Sequence, residues 1–284
     1  MQLLAFLIDG LLLGFVYGIA AMGMTLIWGV MDVINLAHGP IIALGMFALW
    51  FIFNDLGMNP YLALILIAIA GLVFGIIMYY IAINRVINAP ALSTLLATFA
   101  VNMIIIGIGT AAFTTSPHNV NFNLGSITFG PITVLWTRLI AALAAILVTA
   151  ALYFFLYQTT PGKYVRAVAN NRSAAELMGI PSTRILALSF GIGTLLAAIS
   201  GGLIATFFPF TILSGSTYEL KSFVIVVLGG LGNPLGALVG GLILGVLEGL
   251  IPYRLPFTWV PVIEFILFVL ILLVRPAGIF GAKQ

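Results

Sequence analysis

Glu264 stands inside the apolar run 258–274, and its neighbours Pro261 and Phe265 offer no counter-charge. A carboxylate there reads as half of a buried ion pair, as an interfacial group, or as an ion or proton site. Arg254 is a partner that only the fold could bring to it. Asp9 and Glu248 lie near the ends of apolar segments and read as interfacial. His38, within Asn35–Pro40, reads as a helix-end residue at the membrane face. His38 and His118 are too far apart in sequence to make a metal site. The absence of cysteine excludes disulfides, thiolate metal sites and cysteine nucleophiles. An asparagine in a span, such as Asn102, bridges helices more often than it binds a solute. The chain has no G-x-x-x-x-G-K-[ST] pattern; Gly162-Lys163-Tyr164 is the nearest and fails on both sides. The chain therefore offers no P-loop nucleotide site, and no catalytic residue, metal or cofactor is assigned.

The elements that must position these groups are membrane helices. Of the 284 residues 63% are hydrophobic and 6% charged, against about half and about a quarter in a soluble domain. So few charges cannot cover a water-facing surface, and soluble-enzyme readings fall away. The net charge of +3 is small and scattered, which excludes nucleic acid as a partner. A span needs about 20 mostly apolar residues. Seven runs meet this, roughly 3–30, 36–53, 61–84, 91–113, 134–157, 185–208 and 258–274. An eighth stretch, 222–251, is interrupted at 229–234. The chain is expected to be one all-α polytopic membrane domain, 1–284, with about eight membrane segments including a broken or re-entrant helix pair. The first run has no cationic n-region and no cleavage-like site, and reads as a retained helix.

Lys and Arg set the orientation. The loop 158–184 carries Lys163, Arg166, Arg172 and Arg184 against Glu176 alone, so it is placed in the cytoplasm. Arg85 agrees, and the uncharged loop 114–133 is external. Arg275 and Lys283 put the C-terminus inside. Segment 222–251 must then enter and leave on one side as a pair of half-helices, and the N-terminus counts as external.

Gly229, Gly230, Gly232 and Pro234 predict the break in that pair. The competing reading is one long kinked helix. Broken helices are a recurring device of transporters; if a solute path of small residues and few charges runs through the spans, its candidates are Asn35, Asn102, Gly229, Gly230, Gly232 and Asn233. Glycines recur four apart at Gly10, Gly14 and Gly18, at Gly71 and Gly75, at Gly236 and Gly240, and at Gly241, Gly245 and Gly249. Such stripes let backbones approach closely without saying which helices touch.

In the loop, Thr160-Pro161 reads as an N-cap followed by Pro at the first helical position. Ser173-Ala174-Ala175-Glu176 reads as a capping box, and Gly179 as the C′ glycine that ends the short helix. Ser182 is the N-cap expected for the next span. Two short helices outside the membrane need something to pack on them: a soluble partner, or the membrane surface.

Three stretches together resemble the permease subunits of ATP-binding-cassette importers for branched-chain amino acids and related amides. They are Asp9–Gly14 with Trp28–Gly39, Arg166–Ile180, and Val227–Ala237 with Gly240-Gly241. The resemblance covers the whole chain. It implies a multi-pass protein of the cytoplasmic membrane that works with a second permease subunit, commonly a different chain. It implies two ATP-binding subunits on the cytoplasmic side and a periplasmic or surface-tethered solute-binding protein. It also implies that Ser173, Ala174, Ala175, Glu176 and Gly179 form the region that seats in the ATPase, and that ATP drives alternating access. An ion-coupled secondary transporter using Glu264, and a channel or scaffold subunit, remain as alternatives.

Overall fold

The computed structural model describes residues 2–129, 132–275 and 277–281. Lys283, used above for orientation, lies outside them. Among the described residues the order is α1 (Gln2–Met31), α2 (His38–Leu56), α3 (Pro60–Met78, continued by a π turn Tyr79–Ile83), α4 (Ala91–Phe113), β1 (Ser126–Phe129), β2 (Ile132–Leu135), α5 (Trp136–Gln158), α6 (Thr160–Asn170), α7 (Arg172–Leu177), α8 (Ser182–Ala205), α9 (Ser214–Gly229), α10 (Pro234–Arg254) and α11 (Val260–Val274). The strands form one antiparallel hairpin with Ile127 opposite Val134. Among the described residues, eight helices are long and apolar enough to cross a membrane. Seven follow the uninterrupted runs of the sequence, and the eighth is α10. The protein is an all-α polytopic membrane protein.

Close backbone contact builds the bundle. α8 lies at its centre, with twenty of its 24 residues buried. Gly45 of α2 lies against Ala198, Gly201 against Ile42, and Gly193 against Ile27 and the Gly23 carbonyl of α1. Gly71 of α3 meets Leu195, and the Thr194 hydroxyl donates to the Gly71 carbonyl at 2.9 Å. The first glycine stripe finds its partner in the last: Gly10, Gly14 and Gly18 of α1 mesh with Gly241, Gly245 and Gly249 of α10. Side chains at these positions would force the helices apart.

The predicted break is present, but the pair differs from two half-helices. α9 begins at Ser214, eight residues before the expected 222, because Tyr218, Glu219 and Lys221 are folded into it. α10 has 21 residues, about 31 Å of helix, enough to cross on its own. The turn Gly230–Asn233 is not at mid-depth. Gly232 and Pro234 share a cavity with Val165, Arg166 and Asn170 of α6, so the turn lies at the α6 end of the bundle. Positive φ at Gly230 (106°) and Gly232 (78°) makes this turn a glycine structure. Asn233 Oδ1 caps α10 by accepting from the Leu235 and Gly236 amides. Ile279 and Phe280 donate to the last carbonyls of α9, Leu228 and Gly229.

Irregular backbone enters the bundle elsewhere. α1 ends at Met31, yet His38, the first residue of α2, reaches the Ala20 carbonyl. Ala20 is eleven residues back along α1, about 16 Å. The connector Asp32–Ala37 therefore climbs into the protein. The membrane tolerates this only where protein covers the backbone, and α4 supplies the cover. Thr98 donates to the Ile34 carbonyl at 3.0 Å and Asn102 Nδ2 to the Leu36 carbonyl at 2.6 Å.

Candidate functional site

The α6–α7 loop is built by its caps. Thr159, not Thr160, is the N-cap of α6 and accepts from the Gly162 amide at 3.2 Å. Asn171 caps α7 by accepting from Ala174 N at 2.9 Å. The predicted capping box is therefore absent: an Asn just upstream takes the cap, and Ser173 projects outward, exposed. Glu176 turns the other way, accepting from Arg172 Nε at 3.1 Å and from the Ser182 hydroxyl. Ser182 is thus the first residue of α8 and not its N-cap, which is Pro181. Arg172 extends the network to Asn88 in the turn before α4, at 3.1 Å. The Ser182 hydrogen bond, with Arg172 beside it, holds the Glu176 carboxyl below the usual range.

The end of α7 is closed as expected. Gly179 adopts φ 80°, its amide bonds the Glu176 carbonyl at 3.0 Å, and the Ile180 amide bonds the Ala175 carbonyl at 3.0 Å. These two bonds form a Schellman motif. Ala175 faces inward and is buried, while Ser173, Ala174 and Gly179 are exposed. Just before the glycine, Leu177 and Met178 are 89% and 82% exposed. Two large apolar side chains are thus held out by a locked turn. The sequence reading named Ser173, Ala174, Ala175, Glu176 and Gly179 and left these two out.

The six path candidates fall in two places. Asn35 and Asn102 come together on the connector: Asn35 Oδ1 accepts from the Ala37 amide at 3.1 Å, and Asn102 holds Leu36. Asn35 Nδ2 and Asn102 Oδ1 are buried and free of protein partners. His38, expected at the membrane face, is fully buried beside them, its Nε2–H donating to the Ala20 carbonyl at 2.8 Å. Gly229, Gly230, Gly232 and Asn233 form the turn at the α6 end. There a cavity of about 230 Å³ is lined by Thr25, Gly29, Tyr157, Arg166 and Asn170 with Gly232. Arg166 is anchored at its rim, Nε donating to the Leu156 carbonyl at 3.1 Å.

The acidic residues are placed differently from their sequence reading. Glu264 and Glu248 both meet Lys221, a residue the sequence reading left out. Glu248 is buried and not interfacial. Arg254 lies over Tyr253 instead of reaching Glu264. Asp9 pairs with Arg138 at 2.8 Å, part-exposed.

Comparison with known proteins gives a consistent picture. Residues 6–274 match the family described as "Branched-chain amino acid transport system / permease component". The high-affinity branched-chain amino acid transport system permease protein LivH of Salmonella typhimurium is 32% identical, over 97% of this chain and 94% of that one. The corresponding permease protein BraD of Pseudomonas aeruginosa is 29% identical, over 98% and 95%. Among solved structures, PsaBC from Streptococcus pneumoniae in complex with Fab superposes over 97% of this chain and 94% of that chain, with a TM-score of 0.50 and 15% identity, a likeness of fold.

Proposed function

Since the chain belongs to the branched-chain amino acid transport system permease family, we propose that it is the membrane subunit of an ATP-driven importer. Its cargo is a branched-chain amino acid or a close chemical relative, and its place is the cytoplasmic membrane. In this reading the whole chain is one permease domain. A second permease subunit completes the path, a solute-binding protein delivers cargo from outside, and two ATP-binding subunits dock on the α6–α7 loop.

The observation that carries the reading is the tip of α7. Leu177 and Met178 are exposed on a turn fixed by Gly179 and Glu176. Apolar side chains held out in water fit a socket on a partner better than they fit solvent. Ser173 and Ala174 flank the tip, and Ala175 keys α7 to the protein behind it. A push on α7 passes through the Glu176–Ser182 bond to α8, which packs on α1, α2 and α3. Rocking of these helices then opens the path to alternate sides. Asn35 and Asn102 serve as its polar lining at depth, and the Gly229–Asn233 turn as its inner end. Few charges suit a path that must release its cargo.

An ion-coupled carrier would need an acid on the path. Glu264 stands beside Lys221 on α11, which packs on α9 and α10. Replacing Gly179 and Glu176 separates the readings: an importer loses uptake and ATPase association while still inserting normally. Uptake that survives both changes would refute the importer reading.

A further inference from the structure

Lys221 of α9 lies between two carboxylates from two other helices. Its Nζ bonds Glu248 of α10 and stands 3.3 Å from Oε1 of Glu264 of α11. Tyr17 of α1 donates its hydroxyl to Glu248 Oε1 at 3.2 Å, and its ring lies 4.9 Å from the ammonium. Tyr218 completes the cluster, its ring 6.1 Å from that of Tyr17. The remaining acid of α9, Glu219, lies on another face against Gly39 of α2. All three charged residues are buried.

One ammonium cannot balance two carboxylates. An uncompensated charge in a membrane interior is strongly disfavoured, so the second carboxylate must be neutralised. The geometry shows which one. Glu248 has a donor on each oxygen, Tyr17 on one and Lys221 on the other. Glu264 Oε1 is buried and, despite the nearby ammonium, has no hydrogen-bond partner in usable geometry. We propose that Glu264 carries a proton at neutral pH, so that α1, α9, α10 and α11 enclose a single buried proton-binding site. A metal cation fits poorly, because the Lys221 ammonium beside Oε1 would repel it. Glu264 and Val260 are the buried residues of α11, so the proton also governs the one buried polar attachment of this outer helix. This inference is independent of the transport reading.

The test is infrared spectroscopy of the full chain in lipid nanodiscs at neutral pH. The wild type should show a protonated-carboxyl carbonyl stretch that shifts in heavy water. Glu264→Gln, isosteric with the neutral acid, should remain monodisperse and lose that band. Glu248→Gln should lose it too, because Lys221 then faces one carboxylate and Glu264 ionises. Absence of the band from the wild type, or a band that Glu264→Gln leaves unchanged, would overturn the proposal. So would thermal stabilisation by sodium over choline that Glu264→Gln abolishes, which would mark a cation site instead.

Discussion

Glu176 of α7 accepts a hydrogen bond from the hydroxyl of Ser182, the first residue of α8. One side chain thereby links an exposed helix to the most enclosed helix of the bundle. The same carboxylate holds Arg172, which holds Asn88 before α4. Force on α7 has a bonded route into two spans.

The link is predicted to withstand moderate acid. The Ser182 bond and Arg172 lower the Glu176 carboxyl from its ordinary value, so its contribution is complete above that value. It is lost only as pH falls through the lowered one. A carboxyl NMR titration should place Glu176 below the ordinary glutamate value. Glu176→Gln should show pH-independent, weakened coupling of uptake to ATP hydrolysis.

Gly179→Ala isolates the turn. A Cβ at Gly179 meets nothing within 4 Å, but φ is 80°, so the cost is conformational, about 1–2 kcal/mol. Uptake should fall with normal insertion. Gly179→Asn, which tolerates that conformation better, should retain more activity.

The glycine mesh between α1 and α10 should tolerate no side chain. A Cβ on Gly245 would run into the backbone of Gly14, so Gly245→Val should abolish monodisperse protein on size-exclusion. Gly107 of α4 has open space around its Cβ position. Gly107→Ala should be neutral or stabilising by about 0.5–1 kcal/mol, read as thermal stability in detergent.

Asn102→Leu should orphan the part-buried Leu36 carbonyl, at a cost of about 1 kcal/mol or more. Since that carbonyl belongs to the connector beside Asn35, uptake should drop more than protein yield does. Thr98→Val keeps the bulk, removes the bond to Ile34, and should show a milder form of the same defect.

The spans were legible because membrane burial is written in composition. Ala91–Phe113 begins and ends where its apolar run does. The break before Pro234 was legible because Gly and Pro act locally. What was missed depends on contacts distant in sequence. Lys221 sat in a polar stretch that read as loop, and its partners are 27 and 43 residues away. A lone lysine beside apolar runs that hold two glutamates was the available signal. The inward-running connector was hidden for the same reason, since the Ile34 and Leu36 carbonyls are held by Thr98 and Asn102 of α4. The caps of α6 and α7 moved by one or two residues because Thr159 and Thr160, and Asn171 and Ser173, compete for the same role.

The most direct measurement is affinity purification of the chain from mild detergent, with identification of what accompanies it. It should be done for the wild type and for the double substitution Leu177→Ser, Met178→Ser. Each apolar side chain lost from a buried contact is worth about 1.5 kcal/mol or more, so docking should weaken about 100-fold. Both residues are exposed in the free chain, so folding and insertion should not change. The account predicts that ATP-binding subunits accompany the wild type and are lost from the variant. Equal recovery with both, or a wild-type chain that purifies alone, would contradict it.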